Sequence, residues 1–151
     1  MPAEPFAELV GRIINNCGVL ELFINNTIRA LSKDPILFNE VIGSNIPRRL
    51  KVLRELLARS NLLKPGVESL FSEIREIAQD RNLVAHNPIA SSDPEGNNSY
   101  VLVVQHKTGF PPDIDKLDRE RLEAIAERSR RAMDEFLRLF PGARQLEGHS
   151  S

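Results

Sequence analysis

Apolar side chains recur every three or four positions along several long stretches of the chain, a spacing that puts them on one face of an α-helix. The first stretch runs from about Pro5 to Ser32, and its apolar face consists of Phe6, Val10, Ile13, Cys17, Leu20, Ile24, Ile28 and Leu31. Asp34-Pro35 ends it, because proline disfavours the helical conformation in the residue before it. Val19, Leu22 and Phe23 form a second apolar strip. We therefore expect this helix to touch two neighbours, with a second subunit as a candidate for one of them.

The same spacing predicts three more helices. The second runs from about Asn45, which suits a cap, to Ser60, and the third runs from about Pro65 to His86. Asn87-Pro88 terminates the third helix, and the last spans about Asp115 to Phe140. The segment from Phe38 to Ile46 stays ambiguous, because a glycine interrupts it.

One segment has the composition of a strand. Ser99 to Thr108 contains Tyr100-Val101-Leu102-Val103-Val104, which is rich in β-branched and aromatic residues. Because a lone strand leaves backbone groups unpaired, we expect it to pair with Pro88 to Ser92 as a hairpin, or with a partner chain. Asp93-Pro94 and Gly96 mark the intervening turn.

These elements predict an all-α fold, an up-down bundle of four main helices with a short β-hairpin after the third. A length of 151 residues fits one domain, which we place at residues 1–145, with 146–151 as a disordered tail. Aromatic residues make up only 5% of the chain and Trp is absent, so the core is predicted to be aliphatic.

Composition also limits the classes of function. With 20 basic and 21 acidic side chains, the chain lacks the basic excess of a general nucleic-acid coat, although a local basic groove is compatible with it. The single cysteine, Cys17, suits a buried position in a reducing compartment, and the longest apolar run, Val101 to Val104, is too short to cross a membrane. We therefore expect a cytoplasmic protein. His86, His106 and His149 are scattered, so we expect no metal and no cofactor.

Three charged residues fall inside apolar stripes on a helical wheel. They are Arg81 in the third helix, Glu21 in the first and Arg49 in the second. Because an unpaired buried charge costs several kcal/mol, these groups must pair or line a wet groove. We expect Glu21 to pair with Arg81 or with Arg49, and such a carboxylate could also hold an arginine in a working orientation.

Three cations crowd the start of the second helix, where the helix dipole disfavours positive charge: Arg48, Arg49 and Lys51. One interpretation is a solvated helix start with nearby acids such as Glu55. The other is a patch that contacts phosphates.

The richest local motif is Arg81-Asn82-Leu83-Val84-Ala85-His86, at the predicted end of the third helix. An imidazole can move a 2′-hydroxyl or leaving-group proton near neutral pH, and a guanidinium can grip a phosphate and offset the charge that grows in the transition state. Asn82 can orient phosphate or sugar. One copy supplies a single imidazole, so separate acid and base roles need a second copy or water.

This motif, with a long first helix that carries an inward acid like Glu21, resembles the HEPN superfamily over about Phe6 to Pro88. The resemblance implies an α-helical bundle that dimerises with two motifs facing one cleft. Many members are metal-independent endoribonucleases in toxin–antitoxin, defence or RNA-processing settings. Carried over, Arg81 and His86 are catalytic and Asn82 is the polar companion. From the charge pattern described above, Glu21, Arg48, Arg49 and Lys51 are the candidate binding or support residues. Toxin members of one branch carry a tyrosine two residues after the histidine, where this chain has Pro88.

The leading hypothesis is therefore a homodimeric, metal-independent endoribonuclease with a toxin or defence role and a cognate protein partner. The second is a noncatalytic dimeric module that binds a nucleotide, an RNA or a partner protein. A third is a structural subunit, in which Arg81 forms only a salt bridge and His86 only stabilises the last carbonyls of its helix.

Overall fold

The computed structural model describes residues 3–86, 89–91, 100–105 and 114–145. Five α-helices and a short 3₁₀ helix dominate these ranges, and the predicted helical bundle is confirmed. The helices are α1 (Ala3–Leu31), α2 (Pro35–Ile42), α3 (Ile46–Arg59), α4 (Val67–His86) and α5 (Arg119–Leu139), followed by the 3₁₀ helix Pro141–Arg144. None of the described helices combines the length and apolar character needed to span a membrane. The predicted tail, residues 146–151, lies outside the described ranges.

Side-chain caps fix where three of the helices begin. The carboxylate of Asp34 accepts the backbone N–H of Ile36 at 3.0 Å, and the side chain of Asn45 accepts that of Arg48 at 3.0 Å. Asp118 caps α5 in the same way. Each cap satisfies an N–H group that the first helical turn leaves without a partner. The ambiguous segment from Phe38 to Ile46 is thus divided, because its part up to Ile42 belongs to α2 and residues 43–45 connect α2 to α3. The last helix begins later than the sequence predicted.

A small antiparallel sheet lies between α4 and α5 in the chain. Its strands are β1 (Ile89–Ser91), β2 (Tyr100–Gln105) and β3 (Ile114–Leu117), in the order β1-β2-β3. Where the sequence predicted two strands, the structure has three, because residues assigned to the start of the last helix pair with β2 instead. The predicted turn at residues 93–96 lies outside the described residues.

The long helices do not alternate in direction as an up-down bundle would. Glu21 of α1 lies beside Arg49 of α3, and further along both helices Leu31 and Leu57 line a common cavity. α1 and α3 are therefore parallel, which corrects the predicted topology. The reason is α2, which carries the chain back between them.

The core is mostly aliphatic, as predicted, and is centred on α1. Four buried phenylalanines add to it: Phe6, Phe23, Phe71 and Phe136. The rings of Phe23 and Phe136 are 6.0 Å apart, so the second apolar strip of α1 packs partly against α5 within the same chain. Leu22 of that strip stays 42% exposed.

One buried polar contact joins α1 to α5. The amide of Asn16 donates to the hydroxyl of Ser129 at 2.9 Å, and that hydroxyl donates to the backbone carbonyl of Ala126 at 2.8 Å. Further along, the amide of Asn26 donates to the carbonyl of Ala143. These contacts show that α5 runs parallel to α1 and fix the register between them.

We expect Asn16→Ala to lower the free energy of unfolding by about 1–3 kcal/mol, because it removes a buried hydrogen-bond donor. The neighbouring Asn15 is exposed, so Asn15→Ala should change the stability by no more than about 0.5 kcal/mol. Urea unfolding followed by circular dichroism measures both. Equal losses for the two variants would contradict the role given to the Asn16 contact.

Candidate functional site

A cavity of about 220 Å³ opens between α1, α4 and the beginning of α3. It exists because α3 starts only at Ile46, partway along α1, so the facing surfaces of α1 and α4 are left partly uncovered. Its apolar wall is made by Cys17, Leu20, Ile74 and Ile77. Its polar lining includes Glu21, Arg49, Arg81 and Asn82.

Arg81 is half-buried at this cavity, within the apolar stripe of α4 as the helical wheel predicts. Its Nη1 donates to Oδ1 of Asn82 at 3.2 Å, but its Nε is buried and has no hydrogen-bond partner. Leaving a buried donor unpaired costs about 1–3 kcal/mol, and more for a charged group. Arg81 also makes no ion pair within the described residues, so the hypothesis that it serves only a salt bridge finds no support there.

Arg49, not Arg81, is the partner of Glu21. Their closest nitrogen and oxygen atoms are 3.6 Å apart, and the Arg49 side chain is only 12% exposed. Its guanidinium donates to the carbonyls of Ser44, at 2.9 Å, and Ile42, and to the amide oxygen of Asn25 at 3.3 Å. Because those carbonyls lie at the end of α2, Arg49 ties α2, α3 and α1 together.

The predicted cationic patch at the start of α3 is divided. Of these three cations, only Arg49 lines the cavity. Arg48 is exposed and pairs with Glu40 at 2.7 Å, and Lys51 is exposed. In the described structure neither Arg48 nor Lys51 contributes to the cavity.

His86 is the last residue of α4, and it is exposed. It does not line the cavity that Arg81 lines. Helix geometry explains this, because five residues turn the helix by about 140° beyond a full turn and advance it by roughly 7.5 Å. The chain thus brings Arg81 and Asn82 together with Glu21 and Arg49, while His86 lies outside the cavity, one helical turn beyond Asn82.

Cys17 is a cavity residue that sequence reasoning did not single out for the site. Burial is the main cause that raises the pKa of its thiol to about 11, and the charge of Glu21 acts in the same direction. The charge of Arg81 acts in the opposite direction but does not outweigh burial. The thiol is therefore neutral at physiological pH and serves as apolar wall. Its place one helical turn before Glu21 was the available signal.

Arg128 holds α4 in position just before the motif. Its guanidinium binds both carboxylate oxygens of Glu73, at 2.8 and 3.1 Å, and also reaches Glu76 and Asp80. The hydrogen bond from Arg128 lowers the pKa of Glu73, whereas burial raises that of Asp80. One cation shared by three carboxylates fastens α4 to α5 and fixes the segment that carries Arg81.

The charged side chains that line the cavity are one carboxylate and two guanidinium groups, so their net charge is positive. Arg49 and Glu21 offset each other, so the guanidinium of Arg81 gives the lining a single net positive charge with unused donors. Such a site favours an anion or a planar group with acceptor atoms. Within the described residues no cluster of three or more His, Cys, Asp or Glu side chains has the arrangement of a metal site.

We expect Arg49→Ala to lower the free energy of unfolding by about 1–3 kcal/mol, because the carbonyls at the end of α2 lose a buried donor. Arg48→Ala is the matched control. Its ion pair is more than half exposed on both sides, so its loss should cost less than about 1 kcal/mol. Thermal unfolding of both variants tests this, and a larger effect at Arg48 would reverse the assignment.

Cys17 should react slowly with an aromatic disulfide reagent at pH 8 in the folded protein and rapidly after unfolding in guanidinium. The folded pKa of about 11 lies above the ordinary value of 9.0. The neutral thiol of Cys17 therefore contributes fully to the free energy of unfolding below about pH 9. This contribution is lost as the pH rises towards 11, because the unfolded chain ionises its thiol first. Cys17→Ala should remove this alkaline loss. Rapid labelling of the folded protein at pH 8 would contradict the buried, neutral thiol.

No protein-family model matches the chain, and no curated protein or solved structure shows significant similarity to it.

Proposed function

We propose that this protein is a metal-independent endoribonuclease that acts as a homodimer. The observation that carries the proposal is Arg81, a guanidinium held among aliphatic side chains at an open cavity with its buried Nε unpartnered. A phosphodiester oxygen is a strong acceptor and would bind this guanidinium at the cavity. Arg81 would bind the phosphate to be cleaved, and Asn82 would help to orient it.

His86 supplies the proton transfer in this proposal. An imidazole takes the proton of the ribose 2′-hydroxyl, whose oxygen attacks phosphorus as the bond to the 5′-oxygen breaks. Water gives a proton to the leaving 5′-oxygen and recovers one from the imidazolium, and the product end is a 2′,3′-cyclic phosphate. Because His86 does not share the Arg81 cavity within one chain, the partner's His86 is needed to complete the site.

The exposed side of α1 supports a second copy as the neighbour. Ile14 and Leu22 are 38% and 42% exposed, and a side chain added at Gly18 would meet no atom of the described chain within 4 Å. On the helical wheel Ile14 and Gly18 lie within about 60° of Glu21, so that part of the surface borders the cavity. A twofold contact there would cover apolar surface and bring two motifs to one cleft.

We also propose that the chain is a member of the HEPN superfamily. The support is the long α1 with Glu21 at the cavity and the motif Arg81-Asn82-x-x-x-His86 at the end of α4. A cytoplasmic location follows from this proposal, because RNA and a reduced Cys17 are both found there. A toxin or defence role with a cognate protein partner remains part of the same proposal.

Purified protein should cleave single-stranded RNA in the presence of EDTA. His86→Ala and Arg81→Ala should each slow cleavage by a factor of about 10² or more, because each removes a proton-transfer or charge-stabilising group. His149→Ala, which removes a histidine far from the motif in sequence, is the control and should cleave normally. Gel analysis of a labelled RNA gives the rates. Unchanged cleavage by His86→Ala would exclude the proposed chemistry.

Mixing the two inactive variants tests the shared cleft. If one site combines Arg81 of one chain with His86 of the other, each mixed dimer regains one intact site. A co-refolded mixture would then recover roughly a quarter of the wild-type rate. No recovery would place both groups of a working site in the same chain, or show that all four groups are needed.

The position of His86 outside the cavity favours one alternative, a noncatalytic dimeric module that binds a nucleotide, an RNA or a partner protein at Arg81. In that case wild-type protein binds RNA but leaves it intact. His86→Ala then binds RNA as well as wild type, whereas Arg81→Ala binds it less tightly. Nitrocellulose filter binding beside the cleavage assay separates the two functions.

A further inference from the structure

The cavity contains an unused acceptor as well as the unused donor of Arg81. The carboxylate of Glu21 accepts no hydrogen bond within the described residues, and its nearest cation, on Arg49, is 3.6 Å away. The donors of Arg49 are directed instead to two backbone carbonyls and Asn25. Glu21 and Arg81 line the same cavity but form no ion pair with each other. A ligand that enters therefore meets an acceptor-only group at one place and a cation at another.

The size and the walls of the cavity limit what can enter. A volume of about 220 Å³ is below the roughly 300 Å³ at which pockets for drug-sized ligands begin. A single planar ring system fits this scale better than a whole nucleotide. The wall formed by Cys17, Leu20 and Ile77 is apolar, which suits the face of such a ring.

We infer that this cavity is a base subsite selective for guanine, placed beside the phosphate that Arg81 binds. Guanine presents two adjacent donors on one edge, N1–H and the N2 amino group, and a carboxylate can accept both at once. Adenine, cytosine and uracil each lack that pair of neighbouring donors. In this arrangement Glu21 reads the base, and Arg81 holds the adjoining phosphate outside the apolar wall. The inference rests on the proposed function and names the base that the nuclease would prefer.

Binding of nucleoside 5′-monophosphates to the full chain, measured by isothermal titration calorimetry, tests the inference. GMP should bind roughly 10- to 100-fold more tightly than AMP or UMP. IMP, which keeps N1–H but lacks the amino group, should fall between GMP and AMP. Equal affinities for the four monophosphates, or no binding of GMP, would overturn the guanine assignment.

Glu21→Gln replaces one acceptor by a donor and should reduce GMP affinity to about that of AMP. Glu21→Asp keeps the carboxylate, so it should weaken binding while retaining a preference for GMP. Glu40→Gln is the matched control, because Glu40 is also paired with an arginine but is exposed and lies outside the cavity. Circular dichroism checks that each variant is folded. A Glu21→Gln variant that keeps the full preference for GMP would overturn the role of Glu21.

Two further variants separate this inference from the proposed nuclease activity. Arg81→Ala should weaken the binding of all monophosphates by a similar factor. The ratio of GMP affinity to AMP affinity should stay unchanged. His86→Ala should abolish RNA cleavage but leave the ratio of GMP to AMP affinity unchanged, because Glu21, not His86, lines the cavity. RNA cleavage without preference for guanine refutes the base subsite alone, whereas selective GMP binding without cleavage refutes the nuclease alone.

Discussion

Burying part of a guanidinium without a hydrogen-bond acceptor costs free energy, and Arg81 is in that position because its Nε is buried and unpartnered. Its aliphatic neighbours on α4 face the core, yet α3 begins too late along α1 to cover the charged end of the side chain. The resulting cavity keeps part of Arg81 accessible while its Nε stays without a partner. Stability is thus reduced locally at the cavity, where Arg81 offers an unused cation.

The cavity keeps its shape through two arginines that do not resemble Arg81 in their bonding. Arg49 gives its donors to the end of α2 and to Asn25, so the wall on the α3 side is fixed. Arg128 gathers three carboxylates of α4 and fixes the opposite wall to α5. Arg49 and Arg128 are surrounded by acceptors and support the cavity. Arg81 has few acceptors around it and stays available to bind a ligand.

Local sequence patterns predicted much of the fold. The spacing of apolar residues predicted α1 almost to its ends, and Asn45 was recognised as a cap. The predicted start of α5 was wrong. Ile114–Leu117 becomes a strand only by pairing with β2, and sequence patterns do not show such a long-range contact. The segment from Phe38 to Ile46 was ambiguous because Gly43, which interrupts the apolar spacing, is the residue that ends α2.

The candidate site was predictable only in part, for a similar reason. A helical wheel is enough to find Arg81 in an apolar stripe and Glu21 in another. It does not tell how far each helix is shifted along its neighbours, and that shift decides that Glu21 lies beside Arg49. The same limitation hid the contact of Arg128 with α4 and the place of Cys17 in the cavity wall.

The late start of α3 also divides α1 into two parts of unequal support. From about Cys17 onwards the helix packs against α3 as well as α4 and α5, whereas its first turns lack α3 as a neighbour. Backbone amides in the first turns should consequently exchange with deuterium faster than those near Ile24 and Ile28, because local opening costs less free energy there. The half of α1 that leads up to the cavity is the part of the helix with more freedom to adjust when a ligand or a second chain arrives.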